Sequence, residues 1–106
     1  MIPLVKDNLE KIRALCRQYQ VQSLYLIGSA ARKDKAFTDK SDVDLLYSFK
    51  ETEISNSGYA DNFFEFEQSL QKVLKTKKVD LVALDYLRNP YFITSIENDK
   101  TLLYEG

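Results

Sequence analysis

The chain has 106 residues, of which 44% are hydrophobic and 29% are charged, and its formal net charge is -1. This length and apolar content suffice for one compact domain with a modest core, so we predict a single domain over residues 1–106. The near balance of charges leaves no overall positive field to attract a polyanion, which disfavours general nucleic-acid binding.

Cysteine and histidine usage restricts the chemistry further. The chain has one cysteine, Cys16, and no histidine. A single cysteine cannot form an intramolecular disulfide, and no apolar run is long enough to cross a membrane, so we expect a cytoplasmic protein without a membrane partner. Without histidine, proton transfer and metal binding must depend on carboxylates, hydroxyls, lysine, arginine or tyrosine.

The chain opens with the pattern of an amphipathic helix followed by a buried strand. Apolar residues recur at steps of four and three and predict a helix over residues 3–19: Val5, Leu9, Ile12, Cys16 and Tyr19. Cys16 then belongs to the core and is not a reactive thiol. Residues 21–27 are rich in β-favouring side chains and predict a strand that ends at Gly28.

A polar turn and a second strand follow. Ser29 is predicted to cap a short helix through Arg32, and residues 33–40 are predicted to form a loop. The next apolar run predicts a strand over residues 42–49.

The second half predicts a long helix between two strands, and then a short helix and a last strand. Residues 51–61 are typical of a mobile connection, and the long helix after them is marked by Phe63, Phe66, Leu70, Val73 and Leu74. The remaining elements are predicted as a strand at 79–84, a helix at 91–96 and a strand at 101–104. The fold class is therefore α/β in the α+β sense, a small mixed sheet of about four strands with helices mainly on one face.

Two carboxylates two residues apart are the first candidate for chemistry. On a strand, Asp42 and Asp44 point to the same face with Cα atoms roughly 6.5 Å apart. Magnesium takes one or two such carboxylates together with substrate phosphates, so the pair suits a metal-bound polyphosphate. The alternative is an exposed decoration of an edge strand, although aspartate is disfavoured in strands.

Two further groups extend that candidate site. Gly28 and Ser29 permit close approach of backbone amides to a phosphate, and Arg32 lies about one helical turn further on; the alternative is a capped turn with a surface arginine. Asp80 shares its strand face with Val82. If that strand neighbours the Asp42 strand, Asp80 is a third carboxylate that acts as metal ligand or general base; otherwise it is an exposed strand carboxylate.

Taken together, three motifs resemble the minimal nucleotidyltransferases of the DNA polymerase β-like superfamily: Gly28-Ser29-x-Ala31-Arg32, Ser41-Asp42-x-Asp44-Leu45-Leu46 and Val79-Asp80-Leu81-Val82. The resemblance covers nearly the whole chain and implies the polymerase β-like fold.

The resemblance also implies residue roles. Gly28 and Ser29, with Arg32 and Ser41, would bind the nucleotide; Asp42 and Asp44 would hold one or two magnesium ions, and Asp80 would complete that site as ligand or base. One departure from the family pattern is Lys33, which stands where a second glycine is usual and makes the loop bulkier.

The resemblance further implies transfer of a nucleoside monophosphate, AMP from ATP by family habit, to a hydroxyl with release of pyrophosphate. The chain has no residues left for an acceptor-binding domain, so the implied acceptor is another protein, such as the helical HEPN ribonuclease toxin of a two-gene module. Three alternatives stay open: a non-catalytic module that neutralises a partner by contact, transfer to a small molecule such as an aminoglycoside in a homo-oligomer, and self-modification, for which Tyr59 is favoured by expected exposure.

Aromatic residues near two of the predicted helices exceed what one buried helix face needs. They are Phe63, Phe64, Phe66, Tyr91 and Phe92. We interpret most of them as core, with a partner interface as the alternative for the remainder.

Overall fold

The computed structural model describes residues 2–28, 31, 42–50, 58–75 and 78–106. Its elements in chain order are helices α1 (Pro3–Asp7) and α2 (Leu9–Gln18), strands β1 (Val21–Ile27) and β2 (Val43–Phe49), helix α3 (Tyr59–Leu74), strand β3 (Val79–Ala83), a 3-10 helix (Leu84–Tyr86), helix α4 (Pro90–Asp99) and strand β4 (Thr101–Glu105). The predicted mixed α+β fold with four strands is confirmed. No helix in these ranges is both long and apolar enough to span a bilayer.

The first predicted helix is wrong as one continuous element, because it is two helices that meet at Asn8. Asn8 has φ -111° and ψ 11°, outside helical values. Its side-chain amide donates a hydrogen bond to the Leu4 carbonyl at 2.8 Å. An asparagine side chain that bonds to local backbone competes with helix continuation, which explains the break. The apolar spacing still places Ile12 and Cys16 in the core.

The other boundary errors lie at element ends. Helix α3 begins at Tyr59, inside the predicted connection at 51–61, of which residues 51–57 lie outside the described ranges. Helix α4 runs to Asp99, three residues beyond the predicted end at Ile96. The shorter corrections are that β2 begins at Val43, β3 ends at Ala83 and β4 ends at Glu105. Periodicity marks the middle of an element better than its ends, where caps decide.

The four strands form one sheet in the order β3-β2-β1-β4. Strand β1 is antiparallel to both β2 and β4, and β2 is parallel to β3. The carboxyl end of β1 and the amino ends of β2 and β3 therefore meet at one edge of the sheet.

The two faces of the sheet carry different layers. Helices α1, α2 and α3 bury their apolar stripes on one face, in a core that contains Val5, Ile12, Phe66 and Leu70. Helix α4 covers the opposite face, where Ile96 packs with Ile27, Leu46 and partly buried Val82. The prediction of helices mainly on one face is confirmed, and α4 is the exception that shapes the site.

Candidate active site

Asp44 and Asp80 lie side by side on neighbouring strands. In the parallel register of β2 and β3, the Cα of Asp44 is the partner of the Cα of Asp80. Adjacent strands are about 4.8 Å apart, and residues at matched positions project from the same face. That face is the one α4 covers, since Val43 and Leu45 pack into the opposite core. The strands that carry these two aspartates are neighbours, as the three-carboxylate hypothesis requires.

Asp42 lies just before β2, so it is not on the strand that the sequence predicted for it. Its side chain is exposed, whereas Asp44 is partly buried. The pKa of Asp44 is raised above its ordinary value of 3.8, first by burial and then by the charges of Asp80 and Asp42. The charges of Asp80 and Asp42 therefore both act on Asp44, and a cation beside it would remove a cost that ionised Asp44 otherwise carries.

Gly28 brings the backbone of β1 against the Asp44 carboxylate. Its φ is +71°, and a Cβ added at this position would lie 2.7 Å from Asp44 Oδ2. Both the left-handed backbone and the close approach require glycine. The predicted nucleotide-binding residue Gly28 and the predicted metal ligand Asp44 thus lie next to each other.

These residues line one cleft of about 230 Å³ between the sheet and α4. The sheet side contributes Ile27, Gly28, Asp44, Asp80 and Val82, and the α4 side contributes Phe92, Ser95, Ile96 and Asp99. The α4 residues are spaced by three, one and three, so they form a single helix face. The sheet side of the cleft therefore presents two carboxylates and the backbone of Gly28. The α4 side presents the ring of Phe92, the hydroxyl of Ser95 and the carboxylate of Asp99.

Sequence reasoning did not find the α4 wall. The signal was available in the spacing of Phe92, Ser95 and Asp99, but the predicted helix ended at Ile96 and left Asp99 outside it. Three predicted nucleotide-binding residues, Ser29, Arg32 and Ser41, lie outside the described residues, and so does Lys33. Their roles stay predictions.

The donor set suits a hard cation, although it is not a preformed cage. Among the described residues, no three Asp, Glu, Cys or His side chains are grouped closely enough to hold a metal by themselves. Magnesium usually keeps several waters and takes only one or two protein carboxylates besides substrate phosphates. Asp44 with Asp80 beside it supplies that number, and Asp42 is close enough to raise the Asp44 pKa. The residues present therefore fit a cation that arrives with a polyphosphate.

The family assignment follows from a comparison with protein-family models. The model for "Polymerase beta, Nucleotidyltransferase" matches residues 10–106. The chain belongs to this nucleotidyltransferase family. It is accordingly an enzyme of the nucleotidyltransferase class, and the motifs at Gly28, Asp44 and Asp80 meet in its cleft.

Relatives of this nucleotidyltransferase come from Methanocaldococcus jannaschii. One, named "Putative protein adenylyltransferase", is 41% identical over 96 residues. The aligned segment covers 90% of this chain and 90% of the relative. A second relative with the same kind of name is 34% identical over 96 residues, again with 90% coverage of both.

Solved structures share the fold of the nucleotidyltransferase at lower identity. The structure of a "putative minimal nucleotidyltransferase" aligns with TM-score 0.73 and 22% identity over 92% of this chain and 90% of that one. A toxin–antitoxin crystallised with AMP-PNP aligns with TM-score 0.68 and 24% identity over 93% of this chain and 74% of that one. Both comparisons show that the chain shares its fold with these structures.

The tyrosine favoured for self-modification lies away from the cleft. Tyr59 is partly buried, and its hydroxyl shares a hydrogen bond of 2.5 Å with that of Tyr47. Tyr47 belongs to the core on the face opposite Asp44. The expectation that Tyr59 is exposed is therefore wrong, because Tyr59 begins a helix that packs on the sheet.

The aromatic residues divide between core and surface. Phe66 is fully buried and Phe63 packs partly buried against the same core, as interpreted from the sequence. Phe64, Tyr91 and Phe92 are exposed instead. Three of the five aromatic side chains are therefore at the surface and not in the core.

Proposed function

We propose that this nucleotidyltransferase uses magnesium to transfer AMP from ATP to a hydroxyl group on a partner protein. The observation that carries the proposal is the in-register pair Asp44 and Asp80, which lines one cleft together with Gly28. The protein adenylyltransferase names of the Methanocaldococcus jannaschii relatives support AMP and a protein acceptor.

The proposed roles divide between the residues on the Gly28 side of Asp44 and those on its Asp80 side. Asp42 and Asp44 hold the cation, and Gly28 with Ser29, Arg32 and Ser41 binds the triphosphate. The cation supplies charge neutralisation on the phosphates and makes the acceptor hydroxyl easier to deprotonate. Asp80 is a further ligand or accepts the hydroxyl proton. The acceptor oxygen forms its bond to the α-phosphorus while the bond to pyrophosphate breaks, so pyrophosphate is the leaving group.

The proposed biological role is that of an antitoxin whose partner is a HEPN-type ribonuclease toxin. Support comes from toxin–antitoxin structures of the same fold, one of them with AMP-PNP. In this account the transferred AMP inactivates the toxin, so catalysis and neutralisation are the same event.

A labelling experiment tests the proposed reaction. Purified protein, magnesium and host lysate are incubated with ATP labelled at either the α- or the γ-phosphate. We expect one protein band to take up the α-label and not the γ-label, and the Asp42→Asn, Asp44→Asn double variant to transfer neither. Label from the γ-position, or equal labelling by the double variant, would refute nucleotidyl transfer at this site.

The acceptor found by labelling then separates catalysis from neutralisation by contact. We expect the acceptor to be a HEPN-type ribonuclease whose RNA cleavage falls once it carries AMP. Asp44→Asn is expected to bind this acceptor without suppressing its cleavage. Full suppression by Asp44→Asn would favour the contact module over the enzyme.

A further inference from the structure

The cleft has two distinguishable ends. In the sheet order β3-β2-β1-β4, Asp80 flanks Asp44 from the β3 side and Gly28 flanks it from the β1 side. Under the proposed function the triphosphate belongs at the Gly28 end, because glycine lets backbone amides approach phosphate closely. The acceptor hydroxyl belongs at the Asp80 end, where a carboxylate can take its proton.

Helix α4 crosses the sheet from the β3 side to the β1 side. Its first turn follows β3 through the 3-10 helix, and Leu87 on the way packs with the cluster that holds Leu46 and Val82. Its last turn leads directly into β4, which pairs with β1, and Lys100 Nζ lies 4.8 Å from the centre of the Tyr25 ring on β1. Phe92 in the first turn therefore lies toward the β3 side of the cleft, and Asp99 in the last turn lies toward the β1 side.

The segment that leads from the carboxyl end of β3 into the first turn of α4 carries an unusual number of exposed apolar side chains. Seven large hydrophobic side chains are exposed among the described residues, and five of them fall between residues 84 and 93. We name these five the 84–93 surface: Leu84, Tyr86, Tyr91, Phe92 and Ile93. Tyr91 is 87% exposed and Tyr86 is 69% exposed. Exposed aromatic side chains are enriched at protein interfaces, where a few buried rings contribute most of the binding free energy.

We propose that the 84–93 surface docks the acceptor polypeptide and that Phe92 positions the acceptor's hydroxyl-bearing side chain beside Asp80. The inference rests on the proposed function and adds to it the place where the acceptor binds. Phe92 is the link, since it belongs both to the exposed surface and to the cleft wall that faces Asp44 and Asp80. An acceptor segment seated on the 84–93 surface thereby continues into the cleft.

The test compares acceptor kinetics with nucleotide binding in matched variants. Tyr91→Ala removes a ring that is nearly free of contacts, so the fold tolerates the change; Phe92→Ala probes the cleft end of the surface. Phe64→Ala is the control, an aromatic that is 56% exposed on α3, on the other side of the sheet. The probes are the acceptor protein identified by α-phosphate labelling and, for nucleotide binding, α,β-methylene-ATP with magnesium measured by calorimetry.

We expect Tyr91→Ala and Phe92→Ala to raise the KM for the acceptor by roughly tenfold each, the size of one lost interface anchor. The Kd for α,β-methylene-ATP should stay within about twofold of wild type, and Phe64→Ala should change neither quantity. Unchanged acceptor KM in both variants would overturn the inference while transfer by the wild type still stands. A rise in the nucleotide Kd with Phe92→Ala would also overturn it, because Phe92 would then contact the nucleotide. Absence of transfer by the wild type would overturn both the inference and the proposed function.

Discussion

Asp44 is the residue on which the site depends most directly. It is partly buried, it lies opposite Asp80 in the strand register, and Gly28 approaches its carboxylate from the other side. Burial and two neighbouring carboxylates raise its pKa. A position that carries an electrostatic cost in the metal-free protein and gains from a cation is typical of a functional site.

The raised pKa of Asp44 predicts that Asp44→Asn stabilises the metal-free protein at neutral pH. When the pKa of a carboxyl is higher in the folded than in the unfolded protein, its ionisation opposes folding. The free energy of unfolding therefore falls as the pH rises from the unfolded pKa of Asp44 through its folded pKa. Relief of the burial cost and of the like-charge repulsion at this partly exposed group is worth less than about 1 kcal/mol, or a Tm rise of up to about 4 °C. Thermal unfolding in a chelator at pH 7 and near pH 4 measures the difference between variant and wild type, which should shrink at the lower pH.

Magnesium with a nucleotide should reverse the order of the Tm values of the wild type and Asp44→Asn. Added magnesium with α,β-methylene-ATP is expected to raise the Tm of the wild type and to leave that of Asp44→Asn nearly unchanged, because a ligand that binds only the folded state stabilises it. Glu65→Gln, which removes an exposed carboxylate on α3, is the control and should respond like the wild type. An equal Tm rise in Asp44→Asn would argue against Asp44 as a metal ligand.

Cys16 was predicted to be core, and this is confirmed. It is fully buried, and burial raises the pKa of its thiol to about 12. Since the thiolate is the reactive form, we predict that a thiol reagent modifies Cys16 only as fast as the protein unfolds. The rate should rise sharply across the urea transition; rapid modification in buffer alone would contradict the burial.

At the scale of elements, the end of β1 is set by Gly28. We predict that Gly28→Ala destabilises the fold by about 1 to 2 kcal/mol from left-handed backbone strain alone, with a further cost because the new Cβ would displace the Asp44 carboxylate. Activity should fall well beyond what the loss of stability explains. A double-mutant cycle with Asp44→Ala, measured by urea unfolding, isolates the cost of displacing the Asp44 carboxylate. Independent, additive effects would show that the two residues do not interact.

The start of α4 depends on Asn89. Its side-chain oxygen accepts hydrogen bonds from the backbone N–H of Tyr91 at 3.0 Å and of Phe92 at 3.4 Å. We predict that Asn89→Ala costs about 1 kcal/mol of unfolding free energy, the usual value of a lost N-cap, and weakens transfer by loosening the turn that holds Phe92. Asn98→Ala, in the last turn of the same helix, is the control for urea unfolding. Equal effects of the two substitutions would argue against the cap.

Periodicity could predict the faces of these elements but not their neighbours. The alternation of Val43 with Asp44, and of Val79 with Asp80, shows from the sequence that each aspartate lies opposite an apolar core face. That β2 and β3 are adjacent, parallel and in register is a property of the long-range packing, and only the structure brings Asp44 next to Asp80. The α4 wall was missed for a similar reason, since a covering helix has no local signal for what it covers.

At the scale of the whole molecule, the large core and the candidate site lie on opposite faces of the sheet. One face is filled by the large core under α1, α2 and α3, while the other carries the carboxylates, the small cluster around Ile96 and the cleft. The sequence motifs predict a nucleotidyltransferase, and the family comparison confirms that assignment over residues 10–106. The exposed apolar side chains between residues 84 and 93 could not be assigned from the sequence, because their exposure depends on α4 lying across the sheet.

The most direct test of the account is the mass of the acceptor protein after reaction with ATP and magnesium. We predict an added mass equal to one or more AMP groups, located by peptide mapping on a hydroxyl side chain. Asp44→Asn should produce none, and Glu65→Gln should match the wild type. An adduct with the mass of a phosphoryl group, or an acceptor left unmodified by the wild type, would contradict nucleotidyl transfer as the activity of this cleft.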